Sequence, residues 1–234
     1  MKRFLFINGL VAVVAAATVG VLAGGTAHAI YYCTGNITGQ TINDTVFVPA
    51  GATCSSFGNT HISGNLQTQP GGAVVFEGQS PGSITIDGSA YIKSAGAGSA
   101  GSNIICGTTI SQSLYIQNNA NPVSAGPGAC GVPDTVSGSV YIQYNTASVN
   151  VSGNTGAGEI GQNVNISHSS GGGFVTLNGN DIDGLVSVTV NTGGGQITNN
   201  VIDGSLTAQN NTPPYSVSGN TVGGVCNNNG THSC

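Results

Sequence analysis

Aliphatic residues recur in one frame along almost the whole chain: an Ile or Val, three residues, a second aliphatic or small residue, one residue, then a third. The first positions are Ile42, Ile62, Ile86, Ile110, Val136, Ile160, Ile182, Ile202 and Val222, spaced by 20, 24, 24, 26, 24, 22, 20 and 20 residues. The second column reads Val46, Leu66, Ala90, Leu114, Val140, Val164, Val186, Leu206, Cys226, and the third Val48, Thr68, Ile92, Ile116, Ile142, Ile166, Val188, Ala208. Alternation with period two is strand geometry, and a repeat of 20–26 residues marks a solenoid. One such strand cannot bury its apolar face alone, but stacking each copy about 4.8 Å beyond the last builds continuous aliphatic ladders. The pattern therefore predicts an all-β protein, a single parallel β-helix (β-solenoid) of about nine rungs over residues 30–234, forming a rod of roughly 40 Å. Parallel strands joined by crossovers are nearly always right-handed, and a right-handed coil is expected.

A second strand set is expected at 148–154, 174–180, 196–200 and 215–220, each ending in Asn shortly before the next rung. Asn154, Asn180, Asn200 and Asn220, with Asn119, Asn145 and Asn191 at the opposite corner, predict side-chain amide ladders along stacked bends, where Asn tolerates left-handed backbone and bonds local amides. Gly-, Ala-, Ser- and Pro-rich insertions at 94–102 and 121–134 are expected to project from the middle rungs and to rim any site.

Charge and cysteine content place the chain in a compartment. Met1-Lys2-Arg3, the apolar run after it and Ala27-His28-Ala29 have the form of a secretory leader spanning residues 1–29, with a retained membrane anchor as the competing reading. Its removal leaves Lys93 as the one Lys or Arg beside eight acidic residues, which disfavours nucleic acid and anionic membranes as partners. Six cysteines suit an oxidising compartment. Cys33 and Cys54 fall at nearly equivalent places on neighbouring rungs, as do Cys106 and Cys130, and Cys226 with Cys234 would close the C-terminal tail. That pairing is a geometric choice among fifteen connectivities. The expected product is a soluble, secreted extracellular or cell-surface protein.

Two outward clusters carry candidate chemistry. Tyr91, Tyr115 and Tyr141 stand on consecutive rungs, with Lys93, Gln117 and Gln143 two residues on, so an aromatic stripe runs beside an amide-rich one. Flat aromatic faces beside amides suit sugar rings, although cross-rung stacking alone also explains such a row. Glu159, Asp181, Asp183 and Asp203 flank the first-column residues of adjacent rungs, and close carboxylates could hold Ca²⁺, although Asp183 and Asp203 precede Gly as turn residues do. A row of Thr41, Thr85, Thr109, Thr135 and Thr221 brings in ice binding, but His61, Glu159, Asp181 and Val201 interrupt it. His61, His168 and His232 lie on separated rungs, and no nucleophile motif is present.

By its rung periodicity and Asn columns, residues 33–226 resemble the right-handed parallel β-helix superfamily that includes pectate lyases and polygalacturonases. The resemblance implies the fold; its lyases generally use an Arg or Lys base, which this chain does not place near its acidic cluster. Asn180-Asp181 and Asp183-Gly184 look faintly like the hydrolases' acidic motifs without the accompanying His and basic pair. The chain looks more like the low-charge secreted β-helices of bacterial surfaces and matrices. The expectation is a non-catalytic structural or adhesive protein, partnering itself or extracellular glycans. A tyrosine-stripe glycan-binding module is the alternative; a polysaccharide-degrading enzyme or an ice-binding protein stands further back.

Overall fold

A computed structural model describes residues 29–93, 102–128, 130–156, 158–231 and 234. The expected leader, apart from Ala29, most of the 94–102 insertion and His232 lie outside the described residues. Each turn of the chain visits three faces. A ten-stranded sheet runs from Ile30–Tyr32 at one end to Cys226–Asn228 at the other and carries the second and third aliphatic columns. Its register is the one the repeat predicts, with Leu66, Ala90, Leu114, Val140, Val164, Val186, Leu206 and Cys226 paired in succession. The third face carries the first column, as five strands from Thr41–Ile42 to Thr135–Val136 and three from Asp181–Ile182 to Thr221–Val222. Single bridges from Val136 to Ile160 and from Ile160 to Ile182 join these segments, so all nine first-column residues stack in one file. The coil makes about eight full turns.

The eight-stranded sheet corrects the expected second strand set. Its C-terminal members, Val149–Ser152, Val175–Asn178, Gly195–Thr198 and Ser216–Ser218, fall where the Asn-ended segments were expected. It continues toward the N-terminus through Val123–Ala125, Asn103–Cys106, Ala73–Glu77 and Thr53–Ser56. The 121–134 segment is therefore not simply a projecting loop: Val123 and Ala125 are buried strand residues, and Asp134 is buried. Together the three faces enclose an interior of stacked Ile, Val and Leu, with Phe76 its largest fully buried side chain.

Backbone polarity at the corners is satisfied by two amide files. In one, Asn154 Nδ2 donates to Asn180 Oδ1 (3.0 Å), Asn180 to Asn200 (3.0 Å) and Asn200 to Asn220 (2.9 Å). In the other, Asn119 donates to Asn145 (2.9 Å) and Asn191 to Asn211 (2.9 Å), with Ser169 interrupting between the two pairs. The ladder residues themselves are not left-handed, contrary to expectation. The residue before each one is: Asn118, Tyr144, Val190, Asn199 and Asn210 have φ of 55–57°, and Gly153, Gly179 and Gly219 take the same region. That residue turns the chain, and the ladder amide then points inward to bond the rungs. Val190, β-branched in the left-handed region, is the least suited of these residues to the turn it makes.

Glycine in the turn between the first and second columns has a packing cause. A Cβ on Gly184 would lie 2.7 Å from the Gln162 carbonyl, and one on Gly204 would lie 2.6 Å from that of Gly184. Disulfides join Cys33 to Cys54, Cys106 to Cys130 and Cys226 to Cys234, with Cα separations of 5.4, 6.1 and 6.3 Å inside the usual range. The first two clip neighbouring turns. The third ties down the C-terminal tail, where the Asn220 amide donates to the Cys234 carbonyl (3.1 Å) and Cys234 packs against the core.

Candidate functional site

The tyrosines of the ten-stranded sheet meet as its register requires. Tyr91 pairs with Tyr115 and Tyr115 with Tyr141, each in a strand whose neighbours on either side point inward. Their rings stack at 4.7 and 4.8 Å, with interplanar angles of 9° and 8°. These spacings equal the distance between rungs, so the ring planes lie across the rod axis. The stripe is consequently not a flat aromatic platform. Its rings spend their faces on one another and present edges to solvent.

The amide row runs alongside, with Gln117 Nε2 donating to Gln143 Oε1 (2.9 Å). Lys93 Nζ lies 4.8 Å from the Tyr91 centroid and 5.9 Å from that of Tyr115. With those two rings parallel and 4.7 Å apart, the ammonium stands beside the stack near the level of Tyr91, where ring edges rather than faces meet it and cation–π attraction is small. At the other end the outer column shrinks from Tyr141 to Asn165 and then Ser187. The step opens a hollow of about 220 Å³ lined by Tyr141, Gln143, Asn165, Ser167, Ser187 and Thr189. Sequence reasoning placed Tyr141 and Gln143 in their columns but not the hollow, which depends on side-chain length changing from one rung to the next.

Glu159 and Asp181 flank the file on one side and Asp183 and Asp203 on the other, on the exposed or half-buried surface. Among the described residues no three His, Cys, Asp or Glu side chains gather closely enough to hold a metal ion. Stacking brings carboxylates together in pairs, while the intervening inward Ile separates the two columns. The Thr row is present in register at Thr85, Thr109 and Thr135, next to His61, whose Nε2 meets Asp87 Oδ2 at 2.9 Å. His168 stacks on Tyr144 at 4.9 Å, a corner pairing that the sequence columns did not include.

One buried acid escaped sequence reading. Asp134 occupies the corner file one turn before Asn154, its Oδ1 accepting the Thr108 amide (2.8 Å) and its own amide donating to Asn154 Oδ1 (2.8 Å). Oδ2 has no hydrogen-bond partner; the nearby Gly126 amide donates to Ile105 O instead. Burial pushes the carboxyl up to about 7, against the opposing pull of the Thr108 and Gly126 amides. A signal was there: Asp134 stands two residues before Val136, as Asn180 does before Ile182. Tyr215, also buried with an unpartnered hydroxyl, is raised by burial alone.

No family model matches the chain, and neither a curated protein nor a solved structure does.

Proposed function

We propose that this protein is a secreted, non-catalytic β-solenoid with a structural or adhesive role outside the cell, acting as a single capped rod. The observation that carries the reading is where the rod gets its cohesion. Two disulfides and the buried amide files tie the rungs, a third disulfide ties the tail, and His61–Asp87 is the one ion pair among the described residues, a construction suited to an oxidising medium of variable ionic strength. The leader-like residues 1–29 support export. The likeness to low-charge β-helices of bacterial surfaces, within the superfamily of pectate lyases, rests on the stacked rungs and Asn files. A non-catalytic role is supported by the placing of Lys93, the one Lys or Arg after Arg3, beside tyrosines rather than carboxylates.

Expression with its native leader tests this. The expected product is recovered outside the cell, its intact mass lower by six hydrogens than the thiol form, and electron microscopy shows short separate rods that release nothing from pectic or other acidic polysaccharides. Free thiols would contradict the compartment, long filaments the capped rod, and polysaccharide cleavage the non-catalytic reading.

A further inference from the structure

A stack of three rings has two outer faces, and the two ends of this one differ. Beyond Tyr91 the next rung offers Gln67, a longer side chain, with Lys93 alongside. Beyond Tyr141 it offers the shorter Asn165 and then Ser187, and there the hollow opens. The distal part of the Tyr141 ring therefore has no aromatic or long side chain continuing the stack on that side.

The polar groups around the hollow are uncommitted, in contrast to the corner asparagines, whose amides are consumed by the ladders. Gln143 Oε1 accepts from Gln117, which fixes the amide and leaves Nε2 to donate elsewhere. The side chains of Asn165, Ser167, Ser187 and Thr189 have no hydrogen-bond partner within the protein among the described residues, and all are half-buried rather than freely solvated. No charged side chain lines the hollow. At about 220 Å³ it is smaller than the roughly 300–1,000 Å³ of sites for drug-sized ligands, and so has room for one ring.

We infer that this hollow is a binding site for a single neutral hexopyranose residue, which stacks its C–H face on the free face of Tyr141 as a fourth member of the pile. Its hydroxyls are met by the Gln143 and Asn165 amides and the Ser167, Ser187 and Thr189 hydroxyls. An aromatic face supplies the apolar contact and amides and hydroxyls the orientation, as small-ligand sites require. The lack of a cation in the hollow, on an acidic protein, selects neutral sugars over uronates and sugar phosphates. The site gives the adhesive form of the proposed role a ligand class, yet the two tests separate: filaments or free thiols would leave this site standing, and failure to bind sugar would leave the rod.

The test is an amide NMR titration of the folded, oxidised protein with methyl glucoside, galactoside and mannoside, and with methyl glucuronide as the charged comparison. At least one neutral glycoside should give saturable shifts confined to the strands bearing Tyr141, Asn165 and Ser187. Tyr141→Ala should weaken that binding by about tenfold or more, whereas Tyr91→Ala, two rungs away, should change it by less than about twofold. Asn165→Tyr, which continues the stack and fills the hollow, should abolish binding while leaving the thermal transition intact. The inference is overturned by absence of saturable shifts with every neutral glycoside, by tighter binding of the glucuronide, by equal losses at Tyr91 and Tyr141, or by Asn165→Tyr binding undiminished.

Discussion

Asp134 shows how much one atom matters in a stacked fold. Asn154, Asn180 and Asn200 in the same corner file each donate from Nδ2 to the next Oδ1, but Asp134 has an oxygen where that donor belongs, so Asn154 Oδ1 accepts the Asp134 backbone amide while Asp134 Oδ2 lacks a hydrogen. A proton on Oδ2 supplies it, which is the structural counterpart of the rise in pKa from 3.8 to about 7. The folded state then holds more protons than the unfolded chain between those values, and stability present in full below about pH 3.8 is lost as pH rises through about 7. The span is worth at most about 4 kcal/mol. Asp134→Asn places an amide nitrogen at the Oδ2 position and removes the titration. Thermal melting followed from pH 4 to pH 8 should decline in the parent and stay flat in the variant, the variant being the more stable at pH 8. Parallel curves would mean that Asp134 is ionised when folded.

At the scale of elements, the two amide files differ in continuity, and the break is the more informative part. Ser169 is fully buried between Asn145 and Asn191, and its Oγ has no partner although its amide donates to Asn191 Oδ1 (2.9 Å). Asn145 Nδ2 consequently donates to the Ile116 carbonyl (2.9 Å) and meets no amide oxygen on the following rung. Ser169→Asn should restore the file, adding about two hydrogen bonds and about 1–2 kcal/mol, read as a higher denaturant midpoint with unchanged slope. A lower midpoint would show the corner too tight for an amide. The files also explain what could be read from sequence. The first-column file and the ten-stranded sheet were legible because aliphatic periodicity alone defines them. The eight-stranded sheet was legible only where Asn154, Asn180, Asn200 and Asn220 mark its exit, and not in its N-terminal half, where Thr60 and Thr108 hold the corner and Ser56 bonds Thr60 at 2.7 Å. The tyrosine row was legible as a column of residues. Its ring planes were not, since whether an aromatic row offers faces or edges is settled by side-chain packing between rungs, and that also concealed the hollow beyond Tyr141.

Across the whole molecule, stability is a sum of contacts between neighbouring rungs, so damage at one end should remain there. The C-terminal rung is the weakest-buried part of the file: Val222 is only partly buried and Val225 is 60% exposed. What covers it is the tail, held by Cys226–Cys234 and by the Asn220 amide bonding the Cys234 carbonyl. Replacing both cysteines by Ser releases a loop of only eight residues' separation, for which the entropic loss is about 3 kcal/mol or less. That loss should fall on the last one or two rungs. Hydrogen exchange is expected to accelerate at Thr221 and Leu206, whose amides bond along the terminal strands, while Val140 and Val164 in the middle of the rod stay protected. The uncovered rung also exposes strand edges that can pair with another molecule, so sedimentation of the variant should show concentration-dependent association that the parent lacks. If the variant stays monomeric with unchanged terminal protection, the tail is an ornament on an end that caps itself; if protection is lost evenly along the rod, the turns are cooperative over a longer range than stacked neighbours allow.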